Sequence, residues 1–322
     1  MIYDDYDKID AVRNSDLGWF QMSPALYKLK VLDKPEKRET SFFSVGSAVH
    51  CKVLEPALYD KGYVVTSAQR PSNKQQVRFV ENFLSGADAG IEDIDFLKKD
   101  SFMIAYSTDK MSDAKMEQRA QEVYEAVKEY IDLKLEEDER TMLSEGQQEV
   151  VENCSLSVSQ HKLANHILLD NSWAECLNEF TIEWEFKDMK CKSRLDRLII
   201  DHNNKKIMLV DLKTTSKHLI DFPGEYKTFD YERELTFYSM AIAHYIFNER
   251  PDLKEYDPEF YIVAVETLPV HECEVFQISN EDIMQRGEKL KNLLDDLRWH
   301  YKNDKWKYKR SYYEGNQFEI LD

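Results

Sequence analysis

The chain has 322 residues, of which 42% are hydrophobic, and its formal net charge at pH 7 is −18. This length and composition predict a folded protein of one large domain or two, with a substantial hydrophobic core. The acidic balance argues against tight binding to bulk nucleic acid, because contacts with phosphates need Lys and Arg. Any contact with a polyanion would therefore depend on local basic patches.

The sequence contains no apolar run long enough to span a bilayer, and residues 1–6 lack the basic start and apolar centre of a signal peptide. We therefore expect a cytoplasmic protein without a membrane partner. The cysteines are odd in number and never spaced as Cys-x-x-Cys, which argues against a disulfide framework, a zinc knuckle and an iron–sulfur cluster. They are Cys51, Cys154, Cys176, Cys191 and Cys273.

Residues 1–60 are predicted to be helical. Ser15 is a candidate N-cap of a first helix, and Ser23 followed by Pro24 is typical of the start of a second. A third helix is predicted from 42 to 54, ending before Pro56 because the residue before a proline resists helical geometry. Residues 61–172 are predicted to form a helical, partly acidic insertion, with amphipathic helices over 116–135 and 147–169.

From about residue 174 the pattern changes to β-rich segments. Segments 174–186, 190–201 and 205–212 are separated by short polar turns, which predicts an antiparallel meander. A helix over 231–247, strands over 259–266 and 272–278, and a helix from Ser279 to about 301 follow. This order predicts an α/β fold with helices packed on a central sheet. The segment 302–310 is basic and aromatic, which suits either contact with nucleic acid or a solvated extension.

Two carboxylates lie in or beside apolar strands. Because an unpaired buried carboxylate is costly, Asp196 and Asp211 are expected to bind a cation. Side chains alternate along a strand, so Asp211 and Lys213 share a face, and Asp196 lies on the neighbouring strand. The sequence therefore predicts that Asp196, Asp211 and Lys213 form one site.

Two carboxylates and an amine suit metal-dependent hydrolysis of a phosphodiester. Mg²⁺ would bridge the carboxylates and the scissile phosphate and generate hydroxide. Lys213 would hold or help to deprotonate the attacking water and stabilise the charged transition state. A pair of structural salt bridges would explain the same residues without any chemistry.

Several motifs resemble the PD-(D/E)XK nuclease superfamily and, within it, the RecE-type exonuclease VIII group related to RecB nuclease domains. They are Gly46-Ser47-Ala48-Val49-His50 with Leu54-Glu55-Pro56, Cys191-Lys192-Ser193-Arg194-Leu195-Asp196, Val210-Asp211-Leu212-Lys213-Thr214-Thr215, and the helix Tyr231–Tyr238. The resemblance covers most of the chain and is weakest over about 60–170. It implies a restriction-endonuclease-like core with a mixed central sheet at 173–304, an N-terminal helical section contributing His50, and a basic, aromatic tail at 305–322.

The resemblance also implies roles for individual residues. His50 would bind a metal with Asp196 and Asp211. Glu179 is a candidate for a further acidic ligand or for orienting Lys213, a role for which Glu183 and Glu185 compete. The residues expected to bind DNA or support the site are Lys192, Arg194, Glu234 and Tyr238. Glu234 stands where the family usually has glutamine, and since a carboxylate repels phosphate, either it binds a cation or the role of the motif has changed.

The implied function is that of a Mg²⁺-dependent deoxyribonuclease in which Mn²⁺ can substitute. It would resect linear duplex DNA from a free end, 5′ to 3′, in phage or prophage recombination in the cytoplasm of a bacterial host. Its implied partners are a single-strand annealing protein and, as an open alternative, further copies of itself. Neither polarity nor a choice of exonuclease over endonuclease follows from any residue.

Two rival functions stay open. The charge of −18 and Glu234 suggest a catalytically weak or inactive relative that binds DNA or a protein. The other rival is a RecB-like or CRISPR-associated nuclease of the same superfamily. Iron–sulfur versions of those nucleases need clustered cysteines, which argues against that form.

Overall fold

The structure is a computed structural model that describes residues 4–33, 43–68, 71–107, 111–136 and 140–315. The chain divides into two compact units, one formed by residues 60–148 and the other by 2–59 together with 149–322. The sequence-based boundaries at 60, 172 and 304 stay predictions. Among the described helices, none is both long and apolar enough to cross a membrane.

The N-terminal section is helical. Its helices are α1 (Asp4–Lys8), α2 (Asn14–Met22), α3 (Pro24–Tyr27), α4 (Phe43–Leu54) and α5 (Pro56–Gly62), with a π-helical turn at Lys28–Leu32. Ser23 caps α3 as predicted, because its Oγ accepts a hydrogen bond from the Ala25 amide at 3.1 Å. The prediction for Ser15 is wrong, since α2 already begins at Asn14, where Asp16 accepts a hydrogen bond from the Arg13 amide. The predicted first residue of α4, Phe42, lies outside the described residues.

Residues 60–148 build a core of their own. The elements of this region and the helices that follow are β1 (Tyr63–Val65), α6 (Lys74–Asp88), α7 (Ile94–Ala105), α8 (Asp113–Leu135), β2 (Thr141–Leu143), α9 (Glu145–Gln160) and α10 (Lys162–Ala164). Phe79, Phe83, Phe102 and Tyr124 are buried where α6, α7 and α8 pack together. β1 and β2 pair in parallel. The helix predicted over 147–169 is interrupted at His161 and ends in a π-helical turn, Asn165–Leu169.

The other unit contains a mixed five-stranded sheet, as predicted. Its elements are β3 (Glu175–Phe186), β4 (Met189–Asp201), β5 (Lys206–Thr215), α11 (Phe222–Thr228), α12 (Tyr231–Asn248), β6 (Asp257–Glu266), β7 (Cys273–Ile278), α13 (Asn280–Asn303) and α14 (Arg310–Tyr313). The strand order is β3-β4-β5-β6-β7, and only β5 and β6 are parallel. Short turns join β3, β4 and β5 into the predicted meander, while α11 and α12 lie in the crossover from β5 to β6.

Helices cover the sheet through an apolar core. α12 packs on β3 and β4, where Trp184 and Phe237 meet edge to face at 4.8 Å, and α13 packs on α12. Ser279 caps α13 by accepting a hydrogen bond from the Asp282 amide. Beyond α13, Trp306 is only 6% exposed and stacks on Tyr27. Trp306 thus anchors the described part of the predicted tail, whereas most of its neighbours in 302–310 are exposed, and residues 316–322 lie outside the described residues.

Candidate metal centre

The pairing of β4 with β5 brings two carboxylates together. Arg197 pairs with Val210, and continuing that register places Asp196 opposite Asp211. The Leu212 amide donates a hydrogen bond of 2.8 Å to Asp196 Oδ2. Two residues along β5, Lys213 Nζ lies 2.7 Å from Asp211 Oδ2, so the two side chains share a face.

Glu179, on β3, lies beside these carboxylates and has an unusual backbone conformation. Its φ is 47°, in the left-handed region, although Asn178 and Phe180 on either side keep their pairing with Arg197 and Leu195. For a residue other than glycine this conformation costs on the order of 1–3 kcal/mol and persists only where the surroundings impose it. Such residues are concentrated at functional sites.

α4 supplies a histidine. His50 Nδ1 lies 3.5 Å from Asp196 Oδ2. One turn earlier, a Cβ atom on Gly46 would come within 3.0 Å of Thr214 Oγ1, so the absence of a side chain lets α4 approach β5 closely. One ligand atom from each of His50, Glu179 and Asp196 lies within 4.8 Å of the others. Asp211, also predicted as a metal ligand, is not in this group of three.

The chemistry of these donors fits a divalent cation. Ligands around Mg²⁺ or Ca²⁺ lie about 2.0–2.6 Å from the ion, so atoms on opposite sides of it are separated by up to about 5 Å. Two carboxylates with a neutral imidazole offer hard oxygen donors and a nitrogen that Mn²⁺ also accepts. We define the acidic centre by its seven side chains: His50, Glu179, Arg194, Asp196, Asp211, Lys213 and Glu234.

The electrostatics of the acidic centre also favour a cation. Burial, followed by the effect of neighbouring carboxylates, raises the pKa of Glu179 and of Asp211 to about 8. The pKa of Asp196 is raised to about 6, again mainly by burial. Burial and Lys213 lower the pKa of His50 to about 4, which leaves the imidazole neutral and able to ligate. The positive charges of Lys213 and Arg194 thus do not offset the burial of these carboxyl groups, and a bound cation would add the missing charge.

The sequence of the chain matches the profile of a family described as a PDDEXK-like domain of unknown function (DUF3799) over residues 14–311. The matched region contains α4, all five strands of the mixed sheet and α12. The chain belongs to this PDDEXK-like family. A PDDEXK-like domain with this sheet supports a nuclease-type function.

No curated protein matches the chain. The solved structure of a protein from Eubacterium rectale, described as a candidate exonuclease, is similar with a TM-score of 0.46 and 11% identity over 97% of this chain and 90% of the other. At that TM-score, the likeness carries no argument about this PDDEXK-like domain.

Glu234 and Tyr238 lie on α12 and complete the surroundings of Lys213. Glu234 Oε2 is 2.9 Å from Lys213 Nζ, and the Tyr238 hydroxyl donates a 3.2 Å hydrogen bond to Glu234 Oε1. Although burial opposes it, the carboxylates of Asp211 and Glu234 raise the pKa of Lys213 well above its usual range. The cation that Glu234 binds in this PDDEXK-like domain is thus the ammonium of Lys213, whereas Glu179 forms its ion pair with Arg194.

The two basic residues of β4 differ. Arg194 Nε lies 2.9 Å from Glu179 Oε2, so this guanidinium belongs to the acidic centre. Lys192 is only 4% exposed, and its Nζ donates hydrogen bonds of 2.7 Å to the backbone oxygens of Tyr6 and Ile9. The expectation that Lys192 contacts DNA is therefore wrong, because its ammonium is buried against the N-terminal segment.

The two other glutamates considered as ligands lie away from the acidic centre, and the sequence analysis did not single out Arg197. Glu183 and Glu185 are exposed on β3, where they pair with Lys192 and Lys190 rather than joining the centre. Arg197, by contrast, directly follows Asp196 and is fully buried. Its position could have been noticed in the sequence, because an arginine directly precedes the apolar run of β4.

Proposed function

We propose that the chain is a Mg²⁺-dependent deoxyribonuclease in which Mn²⁺ can substitute. Family membership supports a nuclease-type function in general. The observation that carries the more specific proposal is the convergence of His50, Glu179 and Asp196 beside the pair formed by Asp211 and Lys213. Structural salt bridges alone would not require a neutral imidazole and a strained glutamate to meet at the same carboxylate.

His50 and Asp196 would hold the metal, with Glu179 and Asp211 as further oxygen ligands. When bound, a divalent cation polarises a phosphoryl oxygen and lowers the pKa of a bound water. Lys213, held between Asp211 and Glu234, can donate hydrogen bonds to the attacking water or to a phosphate oxygen, which stabilises developing negative charge. Its raised pKa supports the role of a charged donor over that of a general base.

The proposed substrate is linear duplex DNA, degraded from a free end in the 5′ to 3′ direction during recombination. This part rests on the resemblance to RecE-type exonucleases, as do a phage origin, a cytoplasmic location, an annealing partner and self-association. Arg194, 28% exposed beside Glu179, is a second basic side chain of the acidic centre, besides Lys213, that can reach a phosphate.

Digestion of linear duplex labelled at either 5′ or 3′ ends, beside a covalently closed circle, tests this proposal. With Mg²⁺ we expect early release of the 5′ label, a persistent 3′ label and an intact circle. Opening of the circle would indicate an endonuclease, and early release of the 3′ label would reverse the polarity. If the protein binds metal but cleaves no DNA, the alternative of an inactive module that binds DNA or a protein is favoured.

A further inference from the structure

Arg197 is a buried cation whose guanidinium donates to neutral acceptors. Its side chain is 0% exposed, and within the described residues no carboxylate forms an ion pair with it. Nη1 donates a hydrogen bond of 2.8 Å to Asn178 Oδ1, and Nη2 donates one of 3.1 Å to the Asp170 backbone oxygen. Burying a guanidinium in this way costs several kcal/mol, on the order of what a buried ion pair must recover. A stabilising role alone is therefore a poor explanation for Arg197.

Asn178 connects Arg197 to the helix that carries His50. Because Arg197 donates to the amide oxygen, the amide nitrogen of Asn178 is directed away from it and donates to the Leu54 backbone oxygen at 2.5 Å. Leu54 is the last residue of α4, and the last carbonyls of a helix have no partner within it. Pro56, two residues later, has no N–H to offer. Asn178 thus caps the helix one turn after His50.

The same two residues adjoin the other ligand candidates. Asn178 precedes Glu179 on β3, and Arg197 follows Asp196 on β4. Asn178 and Arg197 are themselves cross-strand partners. One hydrogen-bonded chain therefore joins both strands of the acidic centre to α4. A shift of α4 at Leu54 would move His50, whose Nδ1 is 3.5 Å from Asp196.

We infer that Arg197 and Asn178 are positioning residues that hold His50 at the metal site. The inference rests on the proposed metal-dependent function. Residues that orient a metal ligand typically change metal affinity about 10–100-fold when they are removed. The link acts through His50, so its contribution should vanish when the imidazole is absent.

Mn²⁺ binding to the full chain without DNA, followed by the electron paramagnetic resonance of free Mn²⁺, tests the inference. We expect Asn178→Ala to weaken binding about 10–100-fold. In a His50→Ala background the same substitution should change Mn²⁺ affinity less than twofold. Asn280→Ala is a matched control, because the Asn280 amide also donates to a backbone oxygen, that of Pro258, outside the acidic centre. We expect it to leave Mn²⁺ affinity unchanged.

Asn178→Asp covers the case in which Asn178→Ala does not fold. An aspartate still accepts from Arg197, with which it gains an ion pair, but it cannot donate to Leu54, so we expect a folded protein with weakened Mn²⁺ binding. Native affinity in either folded variant, or equal losses with and without His50, would overturn the inference and leave the proposed function intact. Mn²⁺ binding without DNA cleavage by the native chain would overturn only the proposed function, and no Mn²⁺ binding would overturn both.

Discussion

Two groups of buried carboxylates lie near the second half of β5 and just beyond its end. They differ in the groups that their carboxylates contact. In the acidic centre, burial and then the nearby Asp196 raise the pKa of both Glu179 and Asp211. The second group, here called the Glu225–Glu266 cluster, consists of Thr215, Glu225 and Glu266. In this cluster Thr215 Oγ1 donates to Glu225 Oε2 at 2.6 Å, and the Leu219 amide donates to Glu266 Oε1 at 2.7 Å.

Burial of a carboxylate is therefore no guide to function in this protein. Glu266 is 0% exposed and Glu225 6%, as buried as Asp211 at 2%. Within the described residues, however, the ligand atoms of three acidic or imidazole groups converge only in the acidic centre. Asp211 Oδ2 is paired with the ammonium of Lys213 at 2.7 Å, whereas Glu225 and Glu266 each accept a hydrogen bond from a neutral donor. Convergence of several carboxylates with an imidazole marks a cation site, whereas separate carboxylates, each with its own donor and a basic neighbour such as Lys217 beside Glu225, indicate a structural role.

The largest difference should appear in cleavage by Asp211→Asn. The substitution removes one carboxylate beside the proposed metal and a counter-ion of Lys213, so we expect kcat to fall about 10³-fold. The unfolding temperature without metal should stay within about 4 °C, because Lys213 keeps Glu234 as a partner. Cleavage rates and thermal unfolding measure the two effects. Cleavage at the native rate would show that Asp211 is not part of the catalytic site.

Glu225→Ala is the matched variant in the Glu225–Glu266 cluster. It leaves the Thr215 hydroxyl without its acceptor and Lys217 without its nearby carboxylate, so we expect a loss of about 1–3 kcal/mol in the free energy of unfolding. Cleavage at a temperature where the variant is folded should stay native. A reversed pattern, with stability kept and activity lost, would contradict the division between the two groups.

Metal ions should distinguish the groups by thermal stability. After treatment with EDTA, Mg²⁺, Mn²⁺ or Ca²⁺ at about 100 times its dissociation constant should stabilise the native chain by about 2.7 kcal/mol. We expect this shift to be lost in Asp196→Asn and kept in Glu225→Ala. Ca²⁺ should stabilise but support little cleavage, because it tolerates looser geometry than Mg²⁺. Robust cleavage in EDTA would contradict the mechanism.

Glu234→Gln tests whether the acidic centre extends to α12. An amide loses the ion pair with Lys213 while keeping a similar shape, so we expect kcat to fall about tenfold, equivalent to about 1.4 kcal/mol. Glu232→Gln, on the same helix, is the control and should behave as the native chain. Higher activity in Glu234→Gln would show instead that this carboxylate repels DNA.

The smallest expected effect belongs to Gly46→Ala. Alanine favours the helix by about 0.5–1 kcal/mol, but its Cβ would lie 3.0 Å from Thr214 Oγ1. We therefore expect near-native stability and a cleavage rate about two- to fivefold lower, since a displacement of a few tenths of an ångström moves α4 and His50. Thr214→Ala in the same chain removes the contact and should restore the rate. Failure to restore it would mean that Gly46 acts in another way.

Local rules account for much of the fold. Alternating apolar residues and short turns predicted the β3–β4–β5 meander, Ser23 and Ser279 were recognised as caps, and Pro56 marked the end of α4. Each of these signals depends on neighbouring residues or on strands joined by a tight turn. The prediction of Ser15 as an N-cap failed, because the cap of α2 is formed by Arg13 and Asp16. The packing of Trp306 on Tyr27 could not be anticipated from the basic, aromatic composition of the tail.

By itself, the sequence determined that Asp211 and Lys213 share a face of one strand beside Asp196, since strand geometry and a short turn suffice for that. Only the tertiary structure decided that Glu234 holds Lys213, that Lys192 is buried and that Arg197 is joined through Asn178 to the end of α4. Those contacts join elements that are distant in the chain. Their geometry depends on how helices pack against the sheet, and no local pattern of residues encodes it.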